Sequence, residues 1–233
     1  IDPARHLLPL NGTREGLFSV AFVAVPPEQD GVRPAVLIPN PFYQCYAAAA
    51  LAAGADAIYV SATRDKGYMP DFAGLDAGLL ERTRLVYLCT PANPQGAVAD
   101  PSYLQSMMLA EIYDREPPVG ALQVCAALAA EDPALAENPF ANLLVFHSLS
   151  KRSSLPGLRS GFVAGDPAVI ADFRRFRSYI GPARPLPVYE AAAAAWNDEA
   201  HVAANRALYR AKIDLAESVL GGRFGFYRPA GGF

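Results

Sequence analysis

Three lysines stand against seventeen arginines in this chain, and one of them, Lys151, sits where chemistry rather than packing would explain it. It lies in HSLSKRSSLPGLRSGFVAGD, residues 147–166, just after the apolar run NLLVF, between serines and eight residues before Arg159. A lysine at a strand end is costly to bury unless it is paired or loses its charge. Driven towards neutrality, it becomes a nucleophile that condenses with aldehydes. Ser148, Ser150 and the forked guanidinium of Arg159 could supply donors of the kind that grip a phosphate.

Three other loops carry complementary residue types. Asn11-Gly12-Thr13-Arg14 follows HLLPL and opens a helix. Gly12 admits a close backbone approach, Thr13 is a competent N-cap, and unpaired amides at a helix start favour an anion. Asn40-Pro41-Phe42-Tyr43 follows AVLIP and offers an aromatic face for a flat ring. In TPANPQGAV, residues 90–98, Pro91 and Pro94 stiffen a loop around Asn93, whose amide can donate to a ligand oxygen. Taken singly, these segments read better as a helix cap, a core aromatic pair and a turn. An aldehyde, a phosphate and a flat ring together describe pyridoxal 5′-phosphate.

Such loops need a scaffold that gathers strand ends. Short β-branched or aromatic runs predict strands at 35–39, 57–60, 85–89, 143–147 and 160–165, and HLLPL reads as one more. Ala- and Leu-rich segments at 14–25, 43–54, 72–83 and 101–110 predict helices between them. Uniformly apolar strands mark a parallel sheet covered on both faces. The expected fold class is α/β: a three-layer αβα domain on a mainly parallel sheet, with right-handed crossovers. Ligands of such sheets collect beyond the carboxyl ends of the strands. From residue 167 the pattern turns helical, at 167–180, 186–198 and 199–222. Residues 1–198 are expected to form the cofactor-binding large domain. Residues 199–233 are expected to form an interdomain helix and the start of a small C-terminal domain that the chain largely lacks.

Composition narrows the class. With 233 residues, 52% hydrophobic, 18% charged and a net charge of −3, the chain is expected to be compact and globular. That charge gives no basis for binding nucleic acid or an anionic membrane surface. No apolar run approaches the roughly eighteen residues of a membrane span. Cys45, Cys89 and Cys125 are odd in number and widely spaced, unlike a disulfide framework or zinc site, and read as buried reduced thiols of a cytoplasmic protein. His6, His147 and His201 are too scattered for a metal site.

NGTREGLF, NPFYQCY, TPANPQGAV and SLSKRSSLPGLRSGF, spread in that order across residues 10–165, resemble the fold-type I, class I/II pyridoxal-phosphate aminotransferases. Within them, NPFYQCYAAAALAAGADAIYV and SKRSSLPGLRSGFVAGD are most similar to the N-succinyldiaminopimelate aminotransferases. The resemblance implies that Lys151 carries the cofactor as a Schiff base and moves the proton between Cα and C4′. It implies that Ser148 and Arg159 bind the phosphate, with Gly12, Thr13 and Arg14 at the helix start and Ser150 beside them. Tyr43 would stack on the pyridine ring, and Asn93 would donate to its phenolate oxygen. The implied reaction transfers an amino group between glutamate and a succinylated substrate of diaminopimelate and lysine biosynthesis. The implied assembly is a homodimer with shared active sites, acting on amino-acid and 2-oxo-acid substrates.

Three departures from the family pattern stand out. The carboxylate for the pyridinium nitrogen belongs on a strand between the NPQG loop and the lysine, and no such strand is legible. Asp114 is the nearest acid, but IYDREPP is too polar and proline-rich for that strand. The expectation is that about a dozen residues are missing near the Ala110–Glu111 junction, because a crossover should return there through a buried strand of about five residues. The small-domain arginine for the substrate carboxylate has no counterpart, and neither does the family's N-terminal arm. Other readings are a different fold-type I reaction, such as another transamination or a carbon–sulfur lyase, and a non-catalytic aminotransferase-like binding domain.

Overall fold

A computed structural model describes residues 1–72, 74–100, 103, 120–181 and 183–232. The expected helix at 101–110, the Ala110–Glu111 junction and Asp114 fall, apart from residue 103, outside the described residues. The chain opens with α1 (Pro3–His6), capped by the Asp2 carboxylate, and β1 (Leu7–Leu10). The expected helix at 14–25 forms in two pieces, α2 (Thr13–Ser19) and α3 (Ala21–Ala24), on either side of Val20. Then come β2 (Ala35–Asn40), α4 (Cys45–Ala52), β3 (Asp56–Ser61), α5 (Ala77–Arg82) and β4 (Thr83–Val86).

Strands β3, β2 and β4 form a parallel sheet with β2 at its centre. Ala35 to Pro39 are all buried there, so the unbroken apolar run belongs to a strand covered on both faces. A second sheet takes β5 (Leu144–Ser148) and β6 (Gly161–Gly165) together with β1. Here β6 runs antiparallel to both neighbours. The helix between β5 and β6, α7 (Leu149–Arg152), lasts one turn and cannot carry the chain back along the sheet, so β6 returns beside β5 reversed. Gly165 lies at φ 151°, and a Cβ there would overlap the Leu143 carbonyl, so this tight junction excludes other residues. Leu10, Val20, Val36, Ile38, Val163 and Phe173 join both sheets and the helices in one core.

The remaining helices include one the sequence reading did not anticipate. It is α6 (Ala121–Glu131), whose Val124 packs with Ala99 in a satellite cluster beside Met69 and Tyr103. By contrast, α8 (Pro167–Ile180) matches its expected bounds because its ends carry explicit signals. Asp166 caps it by accepting from the Ala168 amide at 2.8 Å, Pro167 starts it, and Gly181 ends it at φ 64°. Helices α9 (Leu186–Asn197) and α10 (Ala200–Leu220) follow. Among the described residues, no helix is long and apolar enough to cross a membrane. The three cysteines are unbridged, Cys45 buried and the other two half-buried rather than buried as expected.

Candidate active site

A cavity of about 520 Å³ opens at the carboxyl ends of β2 and β5 and beside the loop after β4. Its size falls within the ordinary range for small-molecule and cofactor sites. Thr13, Arg14, Tyr43, Asn93, Ser148, Ser150, Lys151 and Arg159 all line it. Gly12 contributes through its neighbour, since the Arg159 guanidinium lies where a Gly12 Cβ would be. The four loops picked out by residue type therefore share one space.

Lys151 is exposed on the cavity wall, not buried as its surroundings in the sequence suggested. The reason is the single turn of α7. Leu149 and Arg152, three positions apart, occupy its buried face, which leaves Lys151 on the other side. Ser148 is buried and its hydroxyl is already engaged, donating to the Ser160 carbonyl at 3.1 Å and accepting from the Ser150 amide at 3.1 Å. It fastens the end of β5 to the start of β6 and caps α7.

Arg159 has a left-handed backbone (φ 50°) closing the turn 156–158, and it donates to the Pro156 carbonyl at 3.0 Å and the Asn11 carbonyl at 3.3 Å. Gly12, at φ 79°, is the N-cap of α2, so Thr13 is the first helical residue rather than the cap. A side chain at Gly12 would be strained by that φ and would displace Arg159. Arg14 sits over the Tyr43 ring, 5.5 Å from its centroid, and donates to the Tyr43 hydroxyl. Tyr43 meets Tyr46 edge-on at 5.7 Å, and Tyr46 stacks on Tyr87 at 4.4 Å. Burial pushes the Tyr46 hydroxyl far above its usual pKa, so it stays protonated.

Asn93 is exposed in a loop closed by the Ala92 amide on the Ala97 carbonyl at 2.7 Å. Sequence reasoning missed what covers that loop. The Tyr227 hydroxyl donates to the Gln95 carbonyl at 2.6 Å, and the Ala230 and Gly231 amides reach the Gly96 carbonyl at 3.1 Å. Gly232 thereby joins the cavity wall. The phrase YRPAG, residues 227–231, holds no local signal for this contact.

His147 was passed over too. It lines the cavity and packs against Trp196 at 5.3 Å and Phe162 at 5.9 Å. Behind it Arg152 is buried over the Trp196 ring, paired with Glu199, and donates to the Ala195 carbonyl at 3.0 Å. Burial foremost, then the charges of Arg152 and Arg206, lowers the His147 pKa to about 4. The folded protein thus binds this proton less readily than the unfolded chain, in which histidine titrates near 6.5. The stability contributed by neutral His147 is complete above about pH 6.5 and is lost as pH falls towards 4. It amounts to at most about 3 kcal/mol. Denaturant unfolding of wild type and His147→Phe at pH 7 and 4.5 should show a shallower acid loss in the variant. Equal losses would mean that His147 stays protonatable in the fold.

Residues 1–233 match the family model described as aminotransferase class I and II. The chain belongs to that family. Among solved structures, an aminotransferase from Neisseria meningitidis superposes with a TM-score of 0.89 at 36% identity, covering 100% of this chain and 61% of that one. Aminotransferase AspB from Helicobacter pylori gives a TM-score of 0.81 at 33% identity, covering 97% and 60%. An LL-diaminopimelate aminotransferase of Dehalococcoides mccartyi is 27% identical over 92% of this chain and 55% of its own length. The transaminase OxyQ of Streptomyces rimosus is 31% identical over 95% of this chain and 59% of its own. The chain thus spans little more than half the length of such aminotransferases.

Proposed function

We propose that this chain forms the cofactor-binding part of a pyridoxal-phosphate-dependent aminotransferase acting on diaminopimelate or its N-succinylated form, with glutamate as amino donor. The observation that carries the reading is the convergence on one cavity of Lys151, the Arg159 guanidinium against Gly12, the Tyr43 face and Asn93. The relatives named LL-diaminopimelate aminotransferases support the diaminopimelate skeleton. The succinyl group rests on the sequence resemblance alone, and those relatives are not named for it.

These residues fit the cofactor. Lys151 supplies an amine for its aldehyde, Arg159 and Thr13 donors for its phosphate, Tyr43 a face for its ring, and Asn93 an amide for its phenolate oxygen. Bound there, pyridoxal phosphate supplies the electron sink for bond breaking at the substrate α-carbon. The chain's own residues orient and tune. Tyr43 is held in place by Arg14, so the ring face is set before any ligand arrives. Ser148 keeps α7 on the end of β5, which fixes where Lys151 starts. With the substrate amine in its place, Lys151 is the base on the cavity wall that moves a proton at the α-carbon. A homodimer in the cytoplasm is the assembly and location proposed.

The test is a half-reaction. Protein loaded with the cofactor and mixed with glutamate should yield 2-oxoglutarate and the pyridoxamine form of the cofactor. Adding the 2-oxo counterpart of LL-diaminopimelate, or of its N-succinyl form, then identifies the acceptor by which one restores the starting spectrum. No pyridoxamine from glutamate, together with a thiol, ammonia and a 2-oxo acid released from a thioether amino acid, would replace this reading with a carbon–sulfur lyase.

A further inference from the structure

The geometry points to Glu15 and Arg177 as positioning residues for the phosphate-gripping Arg159. This rests on the proposal that the cavity takes pyridoxal phosphate. Arg177, on α8, is only 8% exposed, and Glu15, on α2, is half-buried beside it. Their pairing is two-pronged, Arg177 Nε to Glu15 Oε1 at 2.9 Å and Nη2 to Oε2 at 3.1 Å. The third guanidinium nitrogen, Nη1, donates to the Pro9 carbonyl at 2.7 Å, which pins the end of β1. Glu15 Oε2 also accepts from the Asn11 amide at 3.1 Å. The Asn11 carbonyl is the one that holds Arg159 Nη2 at 3.3 Å. The peptide groups flanking Asn11 are therefore clamped in series: its N–H by the Glu15–Arg177 pair, and its C=O by Arg159.

Neither Arg177 nor Glu15 lines the main cavity. A buried ion pair is seldom worth more to stability than the apolar residues that could replace it, because two charges must first lose their water. What a two-pronged pair supplies is a fixed geometry. Here the fixed object is the 9–12 turn, on which the Arg159 head rests with no side chain at Gly12 between them. Loosening the clamp should let that turn shift and move Arg159 away from the phosphate while leaving Lys151, Tyr43 and Asn93 on their own supports.

The experiment compares two aldehydes, pyridoxal 5′-phosphate and pyridoxal, which differ only by the phosphate. Their affinities are measured by absorbance titration on wild type, Arg177→Met and Glu15→Gln. The glutamine variant keeps the shape and an acceptor for Asn11 but removes the charge, so it serves should the methionine variant fail to fold. The expected result is about a tenfold loss of affinity for the phosphorylated aldehyde, with pyridoxal unchanged. Arg177→Lys should recover only part, since an ammonium cannot match both carboxylate oxygens and Pro9 at once. Equal losses for both aldehydes, or no loss in a folded variant, would overturn this inference alone. Wild type that binds neither aldehyde would overturn the proposed function and this inference with it.

Discussion

Replacing Lys151 by alanine should abolish transamination, with turnover falling by at least about 10³-fold, while the protein still folds. A positioned acid–base group contributes about 10²–10⁴-fold, and Lys151 is proposed to be both that group and the covalent anchor. The fold should survive because Lys151 is exposed on α7, whose place is set by others. Leu149 is buried beneath that turn, Ser148 caps it, and Arg152 ties it to the end of α9. Substitutions away from such anchors usually change stability by no more than about 0.5 kcal/mol. Borohydride reduction of the loaded wild type should label the peptide containing Lys151, and the alanine variant should take no label. The other two lysines have settled surface roles: Lys66 pairs with Asp71 at 3.2 Å, and Lys212 sits 5.2 Å over the Tyr209 ring. Label on either would overturn the assignment.

Arg159→Ala should weaken cofactor binding by at least tenfold with little effect on folding. Two charge-assisted hydrogen bonds to a phosphate are worth about 1.5–3 kcal/mol each. Among the described residues, the guanidinium makes only exposed hydrogen bonds, to the Pro156 and Asn11 carbonyls, so its removal strands no buried partner there. Arg159→Lys should restore part of the affinity, because an ammonium keeps the charge and loses the fork. Titration with the cofactor, alongside thermal unfolding of the free protein, separates the two effects. Unchanged affinity in the alanine variant would make Arg159 a surface residue and require another phosphate ligand.

Much of this architecture is written in short stretches of sequence. The apolar run 35–39 announces a strand buried on both faces, and Asp166, Pro167 and Gly181 mark the ends of α8. Both are local signals, set by solvent on each face of an element and by backbone groups at its ends. The residue types around Lys151, Arg159, Gly12, Tyr43 and Asn93 likewise singled out loops that meet at one cavity. Tertiary structure decided what depends on partners far apart in the chain. Glu15 meets Arg177 across 162 positions, and Tyr227 reaches Gln95 across 132. The low His147 pKa exists because Trp196, Arg152 and Arg206 close around it, and no window of sequence carries that desolvation. The exposure of Lys151 and the prior engagement of the Ser148 hydroxyl follow from how a one-turn helix docks on two strands. A sequence states which groups are present; their burial, and so their charge and reach, is fixed only when distant segments pack around them.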